Sequence, residues 1–286
     1  MLTIDPKEVS TGKLHQYLLG AIAPRPIAFA STIDEDGNPN LSPFSFFNVF
    51  GANPPIMIFS PARSVRHNTT KHTLDNAEVV KEVVINVVNY DIVQQMSLSS
   101  TMYPKGVNEF EKAGLTMLPS EVVKPFRVAE SPVQFECKVI DIIYTGKEGG
   151  AGNLIMCEVV KVHVKEEVLG EDGLIDQHKI DLVARAGGSY YSRARDGFFE
   201  IPKPLSSLGI GVDQIPNEIR NSSVLTGNNL GVLGNVEELP NEEAVNNFAK
   251  EHPEFVGVTE EKKHTFAQEY LLKNDVESAW KVLLIK

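Results

Sequence analysis

The sequence predicts a mainly β protein with helices interspersed, its strands closing as an antiparallel barrel. Three observations carry that expectation. Val133, Phe135, Cys137 and Val139 alternate along one segment, and Leu154 and Met156, with Val160, Val162 and Val164 further along, do so in another; both read as long paired strands. Residues 26–34 form a shorter strand running into Glu35-Asp36-Gly37-Asn38, where Asp-Gly is a hairpin signal. Short strands and helices then follow one another irregularly, which disfavours the repeating βαβ units of a doubly wound parallel sheet.

The other elements follow from local pattern. Residues 39–50 alternate too poorly for a plain core strand and mix polar, small and aromatic side chains, so they are expected at a ligand-facing edge. Pro54-Pro55 and Ser60-Pro61 bracket Ile56-Met57-Ile58-Phe59, a run of strand length. Residues 64–77 are helix-compatible, and residues 83–88 are a β-branched run that reads as a buried strand. A helix is expected from Tyr90 to Ser100, and a helical turn from Asn108 closed by Gly114. From about residue 200 the pattern changes to the loop-rich IPKPLSSLGIGVDQIP and then to helical stretches at 241–250 and 260–283. Residues 1–200 are therefore expected to form the barrel domain, and residues 201–286 a C-terminal extension packing on the barrel or on a dimer partner.

Composition narrows the function. The 286 residues can bury a sizeable core, and a formal net charge of −11 opposes binding to nucleic-acid backbones or anionic membranes. The N-terminus, MLTIDPKEVSTGKLHQYLLG, lacks a basic stretch leading into an apolar one, and no segment has the apolar length of a membrane span, so a cytoplasmic location is expected. Cys137 and Cys157 sit in apolar strand patterns and read as buried, reduced thiols. No dinucleotide, P-loop, zinc-protease or nucleophile-elbow motif occurs, and His67 and His72 are five apart, off the spacing that aligns two metal ligands on one helix face. No metal site is expected.

The strongest physical signal is a gap. The chain holds 38 acidic residues, yet none falls between Gly37 and Leu74, where average density would put about five. Inside that gap Arg63, Arg66 and Lys71, with His67 and His72, stand among Ser64, Thr69, Thr70 and Thr73. Cations and hydroxyls without competing carboxylates suit a phosphate group, with N–H groups at the start of a helix near residue 64 adding a dipole contribution. The alternative is a solvated basic helix face.

Ala23-Pro24-Arg25-Pro26-Ile27-Ala28-Phe29-Ala30-Ser31-Thr32 begins a series of motifs. Gly37-Asn38-Pro39-Asn40-Leu41-Ser42-Pro43-Phe44-Ser45-Phe46-Phe47-Asn48, Asn53-Pro54-Pro55, Lys71-His72-Thr73 and Ala184-Arg185-Ala186-Gly187-Gly188-Ser189-Tyr190 continue it. In that order and spacing, over about residues 14 to 195, the chain resembles the flavin reductase-like FMN-binding family, which includes flavoredoxin-like proteins. The resemblance implies a split β-barrel, usually a homodimer, holding FMN without a covalent bond. It implies a phosphate site around Ser60, Arg63, Lys71 and Thr73, where the acid-free stretch also points, and places Ser31, Thr32, Ser45, Phe46, Phe47 and Asn48 along the flavin ring and ribityl chain. His72 and Asn153 depart from the usual family pattern, which has an acid and a histidine there.

The activity this implies is hydride transfer from NADH or NADPH to flavin, with an oxygenase or redox protein as partner. A flavoredoxin-like electron carrier fed by a protein, and a flavin-binding module without turnover, are the alternatives. Hydride transfer between two cofactors depends on positioning rather than on an acid–base pair, so no catalytic side chain is expected.

Overall fold

The computed structural model describes residues 1–201 and 208–286; part of the loop-rich stretch after residue 200 lies outside the described residues. Contacts divide the chain into two compact units, Met1–Phe198 and Phe199–Lys286.

The first unit is built on one seven-stranded antiparallel sheet. Its strands in chain order are β1 (Ala28–Ile33), β2 (Pro39–Phe44), β3 (Phe47–Ala52), β4 (Pro55–Phe59) and β5 (Glu82–Asn86). A short ribbon, β6 (Met117–Leu118) with β7 (Arg127–Val128), precedes the long strands β8 (Val133–Tyr144) and β9 (Asn153–Val164). A second ribbon pairs β10 (Val183–Arg185) with β11 (Tyr191–Arg193). The large sheet runs β2-β1-β5-β8-β9-β4-β3, so β2 and β3 are its two edges. Only Ser45 and Phe46 separate them in sequence. A flat sheet of this width would hold its edges about 29 Å apart at about 4.8 Å per strand, whereas three peptide units reach at most about 11 Å. The sheet therefore curls into a barrel that is split between β2 and β3, where no ladder joins the edges.

Period-two alternation sorts side chains to the two surfaces of the curled sheet. Ala28, Ala30, Phe59, Val83, Ile85, Cys137, Ile155 and Cys157 fill the inside together with Leu74 and Ala77 of helix α2 (His72–Val80). On the outside, Phe29 and Leu41 meet Ile92 and Met96 around α3 (Val93–Leu98) and Phe110 of α4 (Glu109–Ala113). With both faces covered, β1 is buried along its whole length. Gly114 ends α4 at φ 65°, a backbone angle that glycine adopts without a steric penalty. Helices α1 (Thr11–Ala21) and α5 (Gln177–Ile180) complete the unit.

The edge of β2 is closed by its own sequence. Pro39, Leu41 and Pro43 share the outward parity, and the prolines carry no N–H. The remaining donor, Leu41 N–H, is bonded at 3.0 Å to Oε2 of buried Glu109. This protects the edge from pairing with another strand.

Some sequence expectations change. Residues 64–70 are a closed loop and the helix begins at His72. Ser64 N–H donates to Thr69 O at 3.0 Å, Asn68 takes φ 52°, and Asn68 Nδ2 ties the loop to Lys147 O at 3.0 Å. In β9 the alternating set of Leu154 and Met156 is half-buried and Val160 and Val162 are exposed, while the inward phase belongs to Ile155 and Cys157. Both faces of this strand are apolar, so alternation alone does not orient it.

Unit two comprises α6 (Asn217–Arg220), α7 (Gly227–Leu233), α8 (Glu242–Glu251), α9 (Glu260–Leu272) and α10 (Val276–Leu284). Buried Trp280 donates its indole N–H to Leu233 O at 3.1 Å and packs with Ile215, Ile219 and Leu271. The stretch at 260–283 is two helices rather than one. Asn274 turns left-handed at φ 59° and Asp275 caps α10 by accepting from Ser278 N–H at 3.0 Å. Among the described residues no helix is long and apolar enough to cross a membrane.

One buried carboxylate anchors the segment before β7. Glu136 of β8 accepts N–H bonds from Glu121, Val122 and Val123 at 2.8, 2.7 and 3.1 Å, and His163 Nε2 lies 2.7 Å from it. Burial pushes this carboxyl up, but the three N–H groups and His163 outweigh it and hold it below the ordinary range. A depressed folded-state value contributes stability above the unfolded carboxylate pKa of about 4.3, lost as pH falls through the folded value. Glu136→Ala is expected to cost about 3 kcal/mol at neutral pH, and the difference from wild type to shrink in acid. Urea unfolding followed by far-ultraviolet circular dichroism tests this. Fluorescence of the single tryptophan, Trp280, reports the second unit and serves as the control.

Candidate functional site

Three adjoining hollows form a trench along β2 and the Ser45–Phe46 link. The first, about 350 Å³, is lined by Arg25, Ser45, Phe46, Ser60, Arg63 and Lys71 among others. A second, also about 350 Å³, shares Ser42, Lys71 and Ser100 with it and adds Thr69, Thr70 and Thr73. A third, about 400 Å³, shares Pro43, Ser45, Ser100 and Arg185 with the first. Each is within the size range of small-molecule sites.

The trench is cationic in a chain that is strongly acidic overall. No acidic residue lines the first hollow, and Glu109 is the acid lining the second. Among the described residues no carboxylate lies within 4.0 Å of Arg25, Arg63, Lys71 or Arg185. Burial pushes the Glu109 carboxyl above its ordinary value, partly offset by the Leu41 N–H bond.

Arg25 organises the rim. It is buried, and its Nη1 donates to Leu19 O at 2.8 Å and to Ile22 O, carbonyls at the C-terminal end of α1, where a cation also complements the helix dipole. Its Nη2 donates to Ala186 O and its Nε to Ser45 Oγ, both at 3.3 Å. One guanidinium thus fastens α1, the Ser45–Phe46 link and the segment after β10. Its backbone also pairs with that of Arg185 through two bonds of 2.9 and 2.8 Å. Burial first, and the Arg185 charge second, lower the Arg25 pKa from its ordinary value.

Ser45, Phe46, Ser60, Arg63 and Lys71 come together in the first hollow, and Lys71 and Thr73 in the second. Arg63 is steered by the 64–70 loop, donating through Nε to Asn68 Oδ1 and through Nη2 to Asn68 O, both at 2.6 Å. Ser60 Oγ accepts from Asn153 N–H at 3.0 Å. Because α2 starts at His72 rather than near residue 64, its unpaired first-turn N–H groups and its positive dipole end fall beside Lys71 and Thr73.

The other expected residues lie elsewhere. Ser31 and Thr32 are fully buried in β1; Thr32 Oγ1 accepts from Asn76 Nδ2 at 3.1 Å, and Ser31 Oγ has no partner among the described residues. Phe47 packs against the barrel interior, and Asn48 is exposed on β3 with its Oδ1 accepting from Val49 N–H. Thr73 Oγ1 is already engaged by Asn40 Nδ2 at 3.1 Å. Sequence reasoning gave no site role to Arg25, Arg185, Ser42 or Ser100. Arg25 and Arg185 are 160 positions apart, and no local pattern links them.

A split antiparallel barrel with a cationic trench at the split, Glu109 being the one acid along it, defines a class of protein suited to a small anionic ligand beside its sheet edge. The model of the flavin reductase like domain matches residues 20–183, more than half of the chain, which therefore belongs to that family. An uncharacterized protein of Aquifex aeolicus is 37% identical over 188 residues, 66% of this chain and 93% of that one. The crystal structure of nitrilotriacetate monooxygenase component B from Bacillus cereus superposes with a TM-score of 0.66 at 30% identity, covering 70% of this chain and 98% of that one. The 2-nitrobenzoate 2-nitroreductase of Pseudomonas fluorescens gives 0.62 at 25% identity, covering 73% and 100%. The family match ends before the second unit begins.

Proposed function

We propose that this protein binds FMN in the trench and acts as a flavin reductase-type oxidoreductase that takes hydride from NADH or NADPH. One observation carries the reading: Arg63 and Lys71 stand among hydroxyls with no carboxylate beside them, a donor set suited to a phosphate monoester. Family membership supplies the flavin to which that phosphate belongs.

FMN supplies the redox chemistry when bound, accepting a hydride and passing electrons on. The chain's own residues position it. Lys71 and Arg63, with Ser60, Thr73 and the first N–H groups of α2, would hold the phosphate. Ser42, Pro43, Ser45 and Phe46 would flank the ring system, with the rim kept open by the bond from Arg25 to Ser45. The charge of Arg25 on the same side favours electron uptake by a ring that becomes more negative on reduction.

NADH or NADPH added without oxygen to FMN-loaded protein is expected to bleach the flavin absorption. Flavin that stays oxidised would contradict the nicotinamide step and favour an electron carrier. A protein that takes up no flavin would contradict the whole reading.

We also propose a homodimer. Ile140 and Ile143 on β8 and Val160 and Val162 on β9 are exposed apolar side chains, more than a lone chain needs on adjacent strands. Sedimentation is expected to show a dimer that Val160→Glu weakens; a monomeric wild type would rule it out.

A further inference from the structure

The third hollow has no part in holding a flavin phosphate, yet it too has a cation, Arg185, on the wall it shares with the first. It is lined by Ser97, Ser100, Ser189 and Tyr191 together with Pro43 and the edges of Ile27 and Met96, so its exposed surface is more polar than apolar. No acidic residue lines it.

Hydrogen-bond accounting separates its two nearby guanidiniums. A guanidinium carries five N–H donors. Arg25 makes four bonds, to Ser45, Leu19, Ile22 and Ala186, and is nearly spent. Arg185 makes two, from Nη1 to Tyr190 O at 2.9 Å and from Nη2 to Gly188 O at 2.6 Å, which leaves three of its five donors without an acceptor among the described residues. The group is held in place by those carbonyls and by the Tyr191 ring, whose centroid lies 4.7 Å from its Cζ. A half-buried guanidinium with fixed orientation, spare donors, a second cation beside it and no counter-ion is a preorganised receptor for a planar oxyanion.

We propose that the hollow between α3 and the β10–β11 ribbon binds the carboxylate of a small organic acid through Arg185, with the acid's body against Pro43 and Tyr191. Pro43, Ser45 and Arg185 are common to this hollow and the first, so the acid would lie directly against the flavin. That adjacency, and with it a role for the acid as a partner in electron exchange, rests on the function proposed above; the anion site itself does not. The dinucleotide's own phosphates are the rival occupant, and carboxylate is favoured because one guanidinium fork matches a single planar monoanion, whereas a pyrophosphate brings more charge than Arg185 balances.

Calorimetric titration of benzoate into flavin-free protein tests the site alone, with Arg185→Gln and Arg185→Lys as variants and inorganic phosphate as the comparison. Benzoate is expected to bind wild type more tightly than phosphate does, to lose about tenfold or more in Arg185→Gln, and to recover partly in Arg185→Lys. The same titration on FMN-loaded wild type is expected to perturb the flavin absorption. FMN affinity is expected to be the same in Arg185→Gln as in wild type, which also shows that the variant is folded. Benzoate that does not bind, that binds wild type and Arg185→Gln equally, or that binds more weakly than phosphate would overturn the assignment. So would a loss of FMN affinity in Arg185→Gln as large as the loss for benzoate, because Arg185 would then belong to the flavin. If wild type takes up no FMN, the flavin reading fails while the flavin-free titration still decides the anion site.

Discussion

Ser45 and Phe46 join the two edges of a seven-stranded sheet, and the rest of the first unit depends on that short link. It forces closure, because three peptide units cannot bridge the width of a flat sheet. The barrel is not seamless, because β2 and β3 meet at this link without a ladder between them. The split that results is where the hollows lie. Pro39 and Pro43 remove donors from the β2 edge and Glu109 takes the one at Leu41, so this edge is closed to another strand.

Charge is then concentrated at the split. The acid-free stretch from Gly37 to Leu74 brings Arg63 and Lys71 without competing carboxylates, while Arg25 and Arg185 arrive from either side of it. A buried guanidinium without a counter-ion is costly, and Arg25 is tolerated because three carbonyls and a hydroxyl accept from it. The ionic pairs of the first unit are elsewhere, as in Arg193 with Asp181 and Arg127 with Glu136. Clustered cations with no paired acids leave a local field for an anionic ligand even though the chain as a whole is acidic.

How much of this the sequence shows follows from whether the signal is local. The strands that become β1, β4, β5, β8 and β9 were legible because their apolar runs and turn residues are local, and the antiparallel class followed from their irregular spacing with helices. The orientation of β9 was not, because Leu154 and Met156 are as apolar as Ile155 and Cys157. The start of α2 was misplaced because residues 64–70 look helix-compatible until Asn68 bonds to Lys147, far along the chain. Helix α1 had no sequence expectation behind it; it has no buried residue and is tied at its C-terminal end by the Arg25 side chain. At the site, the missing acids pointed to Arg63 and Lys71. Ser31 and Thr32, at the end of the first family motif, face into packed structure, and the pairing of Arg25 with Arg185 is a product of tertiary folding alone.

In the proposed function the trench holds a flavin mononucleotide by its phosphate. The most direct measurement is the affinity of the purified protein for FMN against riboflavin, which lacks that group, read by quenching of flavin fluorescence in wild type and Lys71→Ala. FMN is expected to bind at least about tenfold more tightly, with the advantage shrinking in salt and in Lys71→Ala. Equal affinity for the two flavins, or an FMN preference untouched by Lys71→Ala, would contradict it.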